Sequence, residues 1–135
     1  MIKLIIGNKG AGKTKTLINL VNEALDTSKG CVVCLEKGNN LRYDVKYLAR
    51  LVNTEEYNIT TCRTLYGFIA GILASNHDVT DIFVDSALKI CGGDTEEFDK
   101  FLDALDDLIK THVINLVMTS SIDPENASDT VKKYL

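Results

Sequence analysis

The sequence is short of proline, of basic charge and of long apolar runs, and each shortage excludes something. One proline in 135 residues leaves no material for a Pro-rich linker. Fifteen Lys and Arg against nineteen Asp and Glu give a net charge of -4. A chain of that balance does not coat nucleic acid by bulk charge, and nucleic acid is not an expected partner. No apolar run approaches the roughly 18 to 20 residues that cross a bilayer. The run at Ile2 to Ile6 ends at a Gly-rich stretch. It falls short of the about 7 to 15 residues of a signal-peptide core, so the expected address is the cytoplasm. The four cysteines, Cys31, Cys34, Cys62 and Cys91, lie in or beside apolar runs and are expected as buried, reduced thiols.

What is present is ordinary globular material: 45% apolar and 25% charged residues. Residues 1–135 are expected to form one domain, large enough to bury about two-thirds of the surface its unfolded chain exposes.

Two kinds of segment alternate along it. Ile2 to Ile6, closed by Gly7, predicts a buried strand. Lys13 to Asp26 carries Leu17, Ile18, Leu20, Val21, Ala24 and Leu25 at helical spacing. Cys31 to Leu35 predicts a second strand. Asp44 to Val52 predicts a short helix through Val45, Leu48, Ala49 and Val52. Tyr57 to Cys62, rich in β-formers, predicts a third strand. Thr64 is placed as the cap of a helix to about Ala74, and Asp81 to Asp85 as a fourth strand. Asp94 and Glu97 have capping-box spacing and open the most regular helix, to Lys110. Val113 to Met118 predicts a fifth strand, and Asp123-Pro124 the start of a last helix toward Tyr134. The expected fold is α/β, a three-layer α/β/α sandwich with a mainly parallel five-stranded sheet. In such sheets ligands bind at the carboxyl ends of the strands.

One motif sits at such an end. Gly7-Asn8-Lys9-Gly10-Ala11-Gly12-Lys13-Thr14 matches G-x-x-x-x-G-K-[ST] in full. Glycines let the backbone curl so that several N–H groups point at phosphate oxygens. The following helix adds its unpaired amides and the positive end of its dipole. Lys13 is a point charge for the outer phosphates, and Thr14 offers a hydroxyl to Mg²⁺. Lys15, one residue further on, is grouped with the phosphate contacts.

On these residues the chain resembles the P-loop NTPase superfamily, and its strand and helix order extends the resemblance over nearly the whole length. The resemblance implies ATP and Mg²⁺ as ligands. It also implies a second motif, an apolar run ending in an Asp that holds the metal, and Ile82-Phe83-Val84-Asp85 fits it. In the RecA-like branch a Glu usually follows and polarises the attacking water. Here that position is Ser86, which lacks a base at neutral pH. Glu36, after the second strand, is the candidate replacement, and it reads equally as a solvated strand end. Thr119, with Ser120, ends the fifth strand where this branch senses the γ-phosphate; turn chemistry before Asp123-Pro124 would explain them as well.

Other signals carry less. Cys31 and Cys34 have C-x-x-C spacing without the second pair that a zinc ribbon needs. His77 and His112 fall at strand starts, away from the phosphate end. Arg42, Arg50 and Arg63 are the only arginines; Arg63, just past a predicted strand, could reach a phosphate in its own subunit or a neighbour's, but reads first as a solvated loop residue. The acidic helix from Asp94 reads as a solvated face.

Three finer resemblances compete. Asn40-Leu41-Arg42-Tyr43-Asp44 is similar to the core of type II thymidine kinases, although their second-motif Glu and zinc lasso are missing. Thr60-Thr61-Cys62-Arg63-Thr64-Leu65 resembles a superfamily 1 helicase motif, but a second RecA-like domain does not fit in 135 residues. The chain also resembles small stand-alone bacterial ATP-binding proteins often labelled twitching-motility, or PilT-like, ATPases. No guanine-recognition N/T-K-x-D motif occurs, which favours ATP. The expected function is ATP binding with Mg²⁺ by a slow ATPase or a nucleotide-dependent switch, acting with a protein partner or by self-association. The alternative is a nucleoside or nucleotide kinase.

Overall fold

Apolar runs of four to six residues alternate with amphipathic stripes, and only a covered parallel sheet buries both. A computed structural model describes residues 1–135. The strands are β1 (Ile2–Gly7), β2 (Cys31–Glu36), β3 (Arg50–Asn53), β4 (Val79–Val84) and β5 (Asn115–Ser121). The helices are α1 (Lys13–Thr27), α2 (Cys62–Ser75), α3 (Ala87–Ile90), α4 (Thr95–Ile109) and α5 (Asp129–Lys132). The strand order is β1-β5-β4-β2-β3, and every pairing is parallel.

Helices lie on both faces and make two cores of unequal size. A cluster of 27 buried residues joins the sheet to α2, α3, α4 and α5, with Leu65, Ile69, Leu102 and Leu105 at its centre. The other face holds 8 buried residues, in which Leu17 and Val21 of α1 meet Val32, Cys34 and Phe83. No helix is long and apolar enough to cross a membrane. The outer edge of β1 is closed by the last residues, where the Tyr134 carbonyl accepts from the Leu4 N–H.

Several segments differ from expectation. Residues 44–49 form consecutive turns, not a helix, and β3 follows them. Leu41, Val45 and Ala49 are buried at four-residue spacing, which mimics a helix stripe. The Asn22 side chain takes the Lys46 N–H and donates to the Asp44 carbonyl, so α1 supplies hydrogen bonds that a helix would have made internally. Pairing with β2 then draws Arg50–Asn53 into the sheet.

The expected third strand at Tyr57 to Cys62 is a 3₁₀ turn (Thr54–Tyr57) followed by the start of α2. Thr61 caps α2, and Thr64 is the reciprocal member of that capping box rather than the cap. The last helix shrinks to a 3₁₀ turn (Pro124–Asn126) and α5, with Asp123 capping the turn. Cys34, Cys62 and Cys91 are buried as expected, but Cys31, the first residue of β2, is exposed.

Candidate functional site

The carboxyl ends of four strands meet along one edge of the sheet. Ile5 pairs with Thr119, Met118 with Val84 and Val84 with Leu35, which brings Thr119, Asp85 and Glu36 level along it, two residues short of Gly7 and its partner Ser121. β5 lies between the strand that leads into the glycine loop and the strand that ends at Asp85.

The loop from Asn8 to Gly12 is built on glycine geometry. Gly10 and Gly12 take φ of 87° and 85°, the left-handed region that side chains disfavour. Gly12 is the N-cap of α1 and supplies no side chain to its first turn. The helix hydrogen bonds begin with the Thr16 N–H on the Gly12 carbonyl, at 3.1 Å, so the amides of Lys13, Thr14 and Lys15 are left uncapped. Together with the dipole, such amides favour an anion. Lys13 Nζ donates across the loop to the Asn8 carbonyl at 2.9 Å. Ala11 closes the turn through its N–H to the same carbonyl.

The loop and the strand edge enclose a cavity of about 540 Å³. Its walls are Lys9, Gly10 and Gly12 of the loop, Lys13, Thr14 and Lys15 of α1, and Ser86, Lys89 and Ser121 from beyond β4 and β5. None of the nine is apolar. Four are lysines, and none of the four is in an ion pair; the chain's salt bridges use Lys46, Lys100, Lys110 and Lys133. An acidic protein thus gathers four lysines without ion-pair partners around one cavity.

Asp85 anchors the metal-binding candidates. Its carboxylate accepts from Thr119 Oγ1 at 2.8 Å and from Thr14 Oγ1 at 3.2 Å, and its own N–H donates to the Leu35 carbonyl. Thr119 accepts in turn from the Ser86 N–H at 2.8 Å, which fixes the direction of its hydroxyl proton toward Asp85. Thr119 is 1% exposed, so it positions Asp85 from behind, while Ser121, two residues on, lines the cavity. Ser86 holds φ 58° without being glycine, a conformation that costs of order 1 kcal/mol or more and recurs at functional sites.

No family model matches the chain, and no curated protein matches it. What the site can do rests on its own geometry.

The donor set fits the ligands that the motif implies. Thr14 and Asp85 put two hard oxygens side by side, as magnesium requires, and leave its remaining positions to phosphate and water. Uncapped amides and lysines suit a polyphosphate.

Glu36 is differently employed. It is 4% exposed, and its two carboxylate oxygens accept from the Asn40 and Leu41 N–H groups, both at 2.9 Å. It fastens the turn after β2. Burial, with Glu36 and Asp85 nearby, pushes the Cys34 thiol up to about 12, so it stays neutral under this edge.

Arg63 lies in the first turn of α2, not past a strand end, and faces a separate groove of about 230 Å³ with Tyr66, Glu97 and Lys100. Arg42 stacks on Tyr43, 4.8 Å from the ring centre, and Arg50 opens β3. Lys89 and Ser121 are cavity residues that the sequence did not single out. No local sequence signal pointed to Lys89, which reaches the cavity because the turn at Ser86 starts the short helix Ala87–Ile90 there.

Proposed function

We propose that this chain is a P-loop nucleotide-binding domain of the RecA-like branch that takes ATP with Mg²⁺ in the cytoplasm. The observation that carries the reading is the cavity of unpaired lysines and uncapped amides beside the Thr14–Asp85 pair. Lys13 leaves the Asn8 carbonyl to meet the outer phosphates. The loop amides hold the phosphate chain, with Asn8, Lys9, Ala11 and Lys15 shaping its rim. Thr14 and Asp85 would hold the metal, which neutralises charge between phosphoryl oxygens when bound. Thr119 keeps the Asp85 carboxylate oriented. The position of β5 between β1 and β4 supports the branch assignment.

Ser86 stands where a general base is expected, and Glu36 spends both oxygens on backbone amides. These two facts favour a nucleotide-dependent switch or a slow ATPase over a fast enzyme. The partner that reads the switch is a second protein or a second copy of this chain. The kinase alternative is the second reading, because none of the residues that line the cavity is an aromatic or aliphatic side chain on which an acceptor nucleoside would stack.

Thermal unfolding tests the reading. A ligand at a hundredfold excess over its Kd stabilises the folded state by about 2.7 kcal/mol. Mg·ATP should raise the wild-type Tm by several degrees and leave Lys13→Ala unmoved. An unmoved wild type at millimolar ATP would contradict the proposal.

A further inference from the structure

We infer that Lys89 meets the third phosphoryl group of the bound nucleotide and makes the site select triphosphates over diphosphates. This rests on the nucleotide-binding reading above and goes beyond it in naming what distinguishes one ligand from another.

The placement of Lys89 is built, not incidental. The chain leaves β4 through Asp85 and turns at Ser86, whose left-handed backbone redirects it into α3. Two hydroxyls at the tip of β5 then pin the start of α3. Thr119 Oγ1 accepts from the Ser86 N–H at 2.8 Å, and Ser120 Oγ accepts from the Leu88 N–H at 3.2 Å. Both residues are essentially buried, so the anchor is rigid. Ala87 and Ile90 bury the opposite side of the helix in the larger core. The next residue after the pinned amides, Lys89, is thereby held in the cavity wall with its side chain exposed.

Charge gives this placement its meaning. Lys89 has no carboxylate partner, and the nearest acidic residue in sequence, Asp85, is engaged by Thr14 and Thr119. An ammonium with three donors and no partner is a ready phosphate ligand. The loop amides serve the phosphoryl groups nearest α1, and Lys13 reaches the outer ones from the same side. Lys89 enters the cavity with Ser86, the residue after Asp85, and Ser121, on the wall that the ends of β4 and β5 supply rather than the loop and α1, and the terminal phosphoryl group is assigned to that wall. As a donor without an acceptor it cannot activate water. It supports binding and discrimination, which is what a switch needs.

The experiment compares wild type, Lys89→Gln and Lys89→Arg by calorimetry with ATP, ADP, tripolyphosphate and pyrophosphate, each with Mg²⁺. Lys89 is exposed, and an unchanged unfolding temperature establishes that each variant is folded. A charge-assisted hydrogen bond is worth about tenfold to a hundredfold in affinity. Lys89→Gln should lose about that much for ATP and tripolyphosphate and stay within about twofold for ADP and pyrophosphate. Lys89→Arg should keep the triphosphate preference. Equal losses for tri- and diphosphates, or no loss, would overturn the role of Lys89 while leaving nucleotide binding intact. A wild type that binds none of the four ligands would overturn both.

Discussion

β4 carries an aspartate near each end, and the two have opposite surroundings. Asp81, near the amino end, accepts from Thr80 Oγ1 at 2.7 Å and from Asn115 Nδ2 at 3.3 Å. Thr80 also contacts the Ser28 hydroxyl, so the polar groups there satisfy one another. No lysine cluster faces them. Asp85, just past the carboxyl end, accepts from two hydroxyls, and one of them, Thr14, lines a cavity with four lysines that make no ion pair. The same residue type closes a network within β4 and, one residue past its carboxyl end, stands beside lysines that have no acidic partner. A folded protein gains nothing from converging like charges. The carboxyl end is therefore the one we propose takes a ligand.

The strongest way to break that contrast is Lys13→Ala. It should lower ATP affinity by about a hundredfold, as expected for charged hydrogen bonds to phosphate, and leave the Tm within a degree or so. Titration calorimetry and thermal unfolding on the same sample check both halves.

Next come the two aspartates themselves. Asp85→Ala should abolish the gain in ATP affinity that Mg²⁺ provides, about tenfold or more. Asp81→Ala should leave affinity alone and reduce stability by about 1 to 3 kcal/mol, because Asn115 and Thr80 lose a buried acceptor. Urea denaturation and magnesium titration of both variants would show the crossover, and its reversal would erase the distinction between the two ends.

Thr119→Val sharpens the comparison with nearly constant volume. It leaves the Ser86 N–H without an acceptor and Asp85 without its shortest donor. A loss of about 1 to 2 kcal/mol in stability and a severalfold weaker magnesium response are expected. Unchanged values for both would show that the network does not orient Asp85.

A smaller effect concerns pH. The folded-state pKa of Cys34 lies near 12 against 9.0 for an ordinary thiol. The folded protein thus holds this proton more tightly than the unfolded chain. Its contribution is complete below about pH 9 and is lost as pH rises toward 12, at up to about 1.4 kcal/mol per pH unit. Cys34→Ala should flatten the alkaline limb of a urea-stability profile. The least perturbing probe is brief alkylation at pH 8, which should label Cys31 and spare the three buried thiols.

The glycine loop, α1, β4 and the order of chemistry along the chain were legible because each rests on local pattern. Leu17 and Val21 show their stripe, and Asp94 shows its cap on Glu97. The crossover before β3 was not legible. Leu41, Val45 and Ala49 keep helical spacing while Asn22, far away in sequence, captures the backbone groups that would have made the helix. The strand at 57–62 failed for a related reason: β-formers lost to the Thr61–Thr64 capping box. Of the residues that line the cavity, Lys9, Gly10, Gly12, Lys13, Thr14 and Lys15 belong to the segment the motif singled out. The engagement of Glu36 with Asn40 and Leu41, and the arrival of Lys89, depend on turns whose partners are set only by the fold.

The central claim is that the lysine cavity binds a nucleoside triphosphate with magnesium. Titrating Mg·ATP into the folded wild-type protein in a calorimeter tests it most directly. The account predicts saturable one-site binding that weakens when Mg²⁺ is withheld and is lost in Lys13→Ala. A folded wild type that shows no heat of binding at millimolar Mg·ATP, or the same affinity in Lys13→Ala, would contradict it.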